Sequence, residues 1–150
     1  KKTWKGFLEP RKIELEYEVV PETIELNVLA FEIDLDSIFN NLILNSVEAL
    51  LSNRHQGDRS ISIRVEQAGT QAKITYRDNG PGLDASIRDP ASIFKFAVTT
   101  KRDASGQANG TGLGMWILAA VVHAYGGSCR AFSPGKEKGF RMEILLPLKK

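Results

Sequence analysis

Between two glycine clusters, Asp78-Asn79-Gly80-Pro81-Gly82 and Gly110-Thr111-Gly112-Leu113-Gly114, runs a stretch over about 83–111 without sustained hydrophobic period. The chain on both sides of it is strongly periodic. Inside a compact domain, an aperiodic span of that length is expected to be a functional loop or lid held by a scaffold. The fold must therefore interrupt itself late, after a hairpin and before a helix.

The scaffold is legible from its periods. Ile13, Leu15, Tyr17 and Val19 alternate with Glu14, Glu16 and Glu18, which predicts a strand with one wet face, ended by Pro21. A second short extended stretch is expected over Ile24 to Ala30. Ile38, Leu42, Ile43, Asn45, Ser46, Ala49 and Leu50 then fall at helical spacing, with Asp36 or Ser37 as the expected cap. After a polar loop from Ser52, residues 60–78 read as a hairpin turned by Gly69-Thr70. A short helix is expected near Ile87 to Phe96. Leu113 to Tyr125 predicts a well-buried helix, with Trp116 and the apolar run to Val122 in the core, stopped by Gly126-Gly127. Strands at about 128–133 and 140–146, around the turn Ser133-Pro134-Gly135, close the chain. About five strands and three helices in this order predict a two-layer α/β sandwich, a mixed sheet covered on one face by helices.

Composition narrows the function classes. The 150 residues, 42% hydrophobic and 25% charged, suit one domain. A net charge of +2 with both signs interspersed argues against a nucleic-acid or membrane surface. No apolar run reaches the roughly 20 residues of a membrane span, and the start does not read as a signal peptide, so a cytoplasmic domain is expected. The first residue is Lys1, as expected of a fragment of something longer, with residues 1–12 a remnant or linker and 13–150 the domain proper. A single cysteine, Cys129, excludes an internal disulfide framework and reads as a buried or half-buried thiol.

The glycine clusters carry the chemistry. Glycine lets a backbone approach a ligand closely. The second cluster opens a helix, whose free N–H groups and positive dipole end favour phosphate. The familiar phosphate-loop motif is absent, and Met115 stands where a dinucleotide fingerprint needs its third glycine. Asn41 and Asn45, four apart, are neighbours on one side of an otherwise apolar helix. As a pair alone they read as core amides satisfied by backbone groups. Beside two glycine clusters they also read as a magnesium and phosphate face, since an Asn oxygen can ligate Mg²⁺.

Asn41-Leu42-Ile43-Leu44-Asn45-Ser46, then Asp78-Asn79-Gly80-Pro81-Gly82, then Ile93-Phe94 with Thr99-Thr100-Lys101, then Gly110-Thr111-Gly112-Leu113-Gly114 resemble the four ordered boxes of the GHKL superfamily. That superfamily groups DNA gyrase, chaperones of the Hsp-ninety type, sensor histidine kinases and mismatch-repair ATPases. The resemblance spans roughly residues 13–147 and is nearest to the catalytic (HATPase_c) domain of sensor histidine kinases. It implies a Bergerat-type fold with a mobile ATP lid and Mg-ATP as ligand. By the same resemblance Asn45 holds Mg²⁺, Asn41 lies beside the phosphates, and Asp78 accepts the adenine amino group. Gly80 and Gly82 admit the base. Gly110, Thr111, Gly112, Leu113 and Gly114 hinge the lid and offer N–H groups, with Thr99, Thr100 and Lys101 as further nucleotide contacts.

Hydrolysing relatives carry a Glu one helical turn before the metal-binding Asn, and here that position is Asn41. An amide is no general base at neutral pH, so the γ-phosphoryl group should survive for another acceptor. The acceptor histidine of such kinases lies on a separate dimerisation domain, and neither His55 nor His123 has its sequence context. The expected partners are that domain and, downstream, a response regulator. The alternative is an ATPase of the same superfamily that acts as a conformational switch without phosphotransfer.

Overall fold

The alternation in residues 13–20 becomes strand β1 (Ile13–Val20), and the predicted hairpin becomes β2 (Arg59–Ala68) and β3 (Gln71–Asp78). The computed structural model describes residues 2–23, 25–96, 113–132 and 138–150. Strands β4 (Ser128–Phe132) and β5 (Phe140–Pro147) complete a five-stranded sheet of order β1-β2-β3-β5-β4. Only β1 and β2 run parallel; the other pairs are antiparallel. A parallel pair needs a long crossover, and helix α2 (Glu32–Leu51) is that connection. Helices α1 (Lys2–Leu8) and α3 (Gly114–Ala124) are the other two α-helices among the described residues.

Register sorts the sheet into two faces. Tyr17, Ile63, Tyr76 and Met142 stand in one row across four strands, and Leu15, Ile61, Asp78 and Phe140 in the next. These rows face the helices. Ile38, Leu42, Ile43 and Leu50 of α2, and Leu118 and Val122 of α3, pack with Ile61, Tyr76, Met142, Ile144 and Leu146 as a core with almost no exposure. The opposite rows are charged. Arg64 pairs with Glu18 and with Glu66 at 3.2 Å, Lys73 with Glu66 at 2.8 Å, and Arg141 with Glu143 at 2.5 Å. Lys73 first and Arg64 second hold the Glu66 carboxyl below its ordinary range.

Four expectations are corrected. First, α2 begins at Glu32, before Asp36 or Ser37, and no side chain caps it. The Tyr125 hydroxyl, from beyond α3, accepts from the Phe31 N–H at 3.1 Å and donates to Asp34, so a tertiary contact fixes that start. Second, among the described residues 25–30 of the stretch expected over Ile24 to Ala30 there is no strand ladder; there is one bridge, Val28 to Leu148, and the Asn27 carbonyl accepts from Lys149 at 2.7 Å. Third, the short helix expected near Ile87 to Phe96 is a 3₁₀ turn, Pro90–Phe94, capped by Asp89 accepting from Ala91 N–H at 3.0 Å. Fourth, Trp116 is 41% exposed and stacks edge-on against Phe96 at 5.2 Å instead of entering the core. At the chain start, α1 lays Leu8 into the core. Arg59 then donates to the Leu50 carbonyl at 3.1 Å and the Arg11 carbonyl at 2.9 Å. A cation thus meets the negative end of α2, whose own last turn has no basic residue.

Candidate functional site

Asp78 ends β3 on the inner face, and strand alternation puts a carboxylate where the core begins. It is 8% exposed. Burial raises its pKa, while donors from Ser46, Gly80 and Phe140 work in the opposite direction. Ser46 Oγ donates to Oδ2 at 2.5 Å. The Gly80 and Phe140 N–H groups donate to Oδ1 at 2.9 and 3.3 Å. Among the described residues Oδ2 accepts only the Ser46 bond, which leaves it a lone pair for an incoming donor.

The turn after β3 is built to sit tightly. Asn79 donates to the Asp58 carbonyl and accepts from the Ser60 N–H, both at 2.8 Å, pinning the turn to the start of β2. Gly80 is buried against α2, where a Cβ would come within 3.1 Å of Asp78 Oδ1 and into van der Waals contact with Leu50 and Ala49. Gly82 follows with a φ of +79°, a left-handed conformation that suits glycine. Sequence reasoning missed Gly139. Its φ is +117°, and a Cβ there would lie 2.2 Å from the Asp78 carbonyl oxygen, so β5 passes as close to Asp78 as a backbone can.

The polar face of α2 meets the start of α3. A Cβ on Gly114 would lie 2.9 Å from Asn41 Oδ1 and 3.9 Å from Asn45 Nδ2. Asn41 donates its Nδ2 to the Ser37 carbonyl at 2.9 Å, which turns its oxygen toward that helix start. Leu113, half-buried, is the N-cap residue of α3, so the helix begins at Gly114, whose Cβ position lies by Asn41 and Asn45. Residues 41–46 of α2 thus lie by both glycine clusters: the Cβ position of Gly114 is 2.9 Å from Asn41 Oδ1, and Ser46 Oγ donates to Asp78. Thr99, Thr100, Lys101, Gly110, Thr111 and Gly112, and the turn Ser133-Pro134-Gly135, lie outside the described residues.

Other chemistries find little support. Cys129 is half-buried and its thiol pKa is pushed up by that burial, the reverse of an activated nucleophile. His55 is engaged with the Asp58 carbonyl at 2.9 Å, and His123 is exposed at the end of α3. Among the described residues no three His, Cys, Asp or Glu side chains gather as a metal site. No helix of the described residues is long and apolar enough to cross a membrane.

Comparison with known proteins shows the family. Residues 30–150 match the family of histidine kinase-, DNA gyrase B- and HSP90-like ATPases, HATPase_c. The C4-dicarboxylate transport sensor protein DctB of Rhizobium meliloti is 34% identical over 103 residues, covering 69% of this chain and 15% of that protein. The sensory histidine kinase/phosphatase NtrB of Rhizobium leguminosarum is 31% identical over 128 residues, 77% of this chain and 30% of that protein. The chain therefore spans less than a third of these relatives' length. The catalytic domain of histidine kinase ThkA superposes with a TM-score of 0.75 at 22% identity, over 97% of this chain and 87% of that one. Full-length ShkA, solved with AMPPNP, superposes with a TM-score of 0.71 at 21% identity, over 99% of this chain and 29% of that one. The chain belongs to the histidine kinase-, DNA gyrase B- and HSP90-like ATPase family, as a catalytic ATP-binding domain of the sensor histidine kinase type.

Proposed function

We propose that this domain binds Mg-ATP between α2 and the start of α3 and presents its γ-phosphoryl group to a histidine on a separate dimerisation domain, with a response regulator downstream. The observation that carries the reading is the closeness of the start of α3 to the polar face of α2, where a Gly114 Cβ would lie 2.9 Å from Asn41 Oδ1 and 3.9 Å from Asn45 Nδ2. Phosphate oxygens are stabilised there by the N–H groups and the helix dipole. Asn45 supplies an oxygen to the cation, and Mg²⁺, when bound, neutralises charge on the transferring phosphoryl group. Asp78 accepts the exocyclic amino group of adenine, which guanine cannot offer at that position, on the lone pair that Ser46 leaves open. Gly80 and Gly82 keep side chains out of the base's path. Thr99, Thr100, Lys101, Gly110, Thr111 and Gly112 complete the nucleotide contacts in this reading.

Asn41 decides between transfer and hydrolysis. Its side chain, bonded to the Ser37 carbonyl, has no basic atom with which to take a proton from water. The domain is therefore expected to retain ATP intact. An excess of the domain is incubated with Mg-ATP, and the bound nucleotide is separated and identified. Intact ATP supports the kinase reading; steady conversion to ADP overturns it in favour of an ATP-driven conformational switch.

A further inference from the structure

Ser46 and Asp78 are the two buried polar residues among those described, 2% and 8% exposed. They belong to one chain of hydroxyls. Tyr76, fully buried, stands two residues before Asp78 on the same face of β3, and its hydroxyl lies 2.6 Å from Ser46 Oγ and 3.2 Å from the Leu42 carbonyl. Ser46 donates its single proton to Asp78 Oδ2 at 2.5 Å. Its oxygen then takes the proton of Tyr76, and both hydroxyls point the same way, from Tyr76 through Ser46 to Asp78. Hydrogen bonds aligned in this sense in a low-dielectric interior strengthen one another.

We propose that Ser46 and Tyr76 are positioning residues for adenine recognition, fixing the plane of the Asp78 carboxylate so that one Oδ2 lone pair faces the base's amino group. The inference rests on the reading that Asp78 accepts that amino group. The carboxylate is gripped on both oxygens: backbone N–H groups of Gly80 and Phe140 hold Oδ1, and Ser46 alone among the described residues holds Oδ2. Loss of Ser46 removes the one side-chain contact that opposes rotation about χ2. Tyr76 acts one step further out by polarising Ser46.

Calorimetry with Mg-ATP and with purine riboside triphosphate, which lacks the 6-amino group, tests this on the chain, Ser46→Ala and Tyr76→Phe. Ser46→Ala is expected to weaken Mg-ATP binding about tenfold, the scale of one hydrogen bond to a charged group. Purine riboside triphosphate affinity should stay within about twofold, since no amino group is there to be positioned. Tyr76→Phe, which removes one oxygen from a packed ring, should reproduce the same selective loss at smaller size. Equal weakening of both nucleotides means that the hydroxyls only support the fold, and overturns the proposal. So does unchanged ATP affinity in both variants. If the unsubstituted chain itself fails to prefer ATP, the Asp78 assignment falls first and takes the proposal with it.

Discussion

At the scale of single residues, burial raises the Asp78 pKa, and three donors offset only part of that desolvation. Its folded pKa lies above the ordinary 3.8, so its contribution to stability is fully present below that value and is lost as pH rises through the raised one. Asp78→Asn escapes that loss. The amide oxygen can take the Gly80 N–H, and its nitrogen can donate to Ser46 once Ser46 and Tyr76 turn their protons toward the Leu42 carbonyl. Denaturant titrations should therefore show the variant gaining on the parent chain between acid and neutral pH. The same variant should lose most ATP affinity by calorimetry, and retained affinity would refute the adenine role. Gly139→Ala is the opposite case, since a Cβ 2.2 Å from the Asp78 carbonyl at a φ of +117° leaves it no place to go. It should unfold at markedly lower temperature and bind less ATP, both measured in one thermal-shift series with and without nucleotide. Asn45→Ala should bind ATP with little response to added magnesium; a full magnesium response would remove Asn45 from the metal.

At the scale of elements, α3 is tied to α2 at both ends. Gly114 rests on Asn41 at one end, and Tyr125 binds Phe31 and Asp34 at the other. Tyr125→Phe should fray the first turn of α2, read as faster hydrogen exchange at the Asp34 and Leu35 amides, both bonded to the Phe31 carbonyl. Exchange unchanged at those amides would show that the helix start does not need the hydroxyl. This tie explains what the sequence concealed. The body of α2 was legible because Ile38, Leu42, Ile43 and Leu50 repeat at helical spacing, but its start depends on a residue 94 positions away. Ser46 was equally hidden, since its place in an apolar stripe reads as small core filler until its partner, 32 residues on, is seen. Trp116 misled for the reverse reason: apolar density along α3 marks a buried helix without saying which face turns outward. Asp78, Gly80, Asn41 and Asn45 stood out because each belongs to an ordered motif that resembles a box of the family, and their roles belong to the proposal that Mg-ATP binds there.

At the scale of the molecule, the sheet has one face that stabilises and one that mainly solubilises. Met142 is wholly buried at the centre of the inner face, and Met142→Ala should cost about 2–5 kcal/mol in chemical denaturation. Arg64, 48% exposed in its ion-pair ladder, should cost less than about 1 kcal/mol as Arg64→Ala. Glu66 responds to pH in the sense opposite to Asp78: its lowered pKa makes a contribution present above 4.5 and lost as pH falls through the folded value. The edge where the two faces meet the site has its own use. The Phe140 amide, 3.3 Å from Asp78 Oδ1, is the longest of the three bonds that carboxylate accepts. Its nitrogen-bound proton should therefore be a resonance whose chemical shift follows the state of Asp78, giving an NMR spectrum of this domain a native gauge of occupancy that needs no label on the ligand.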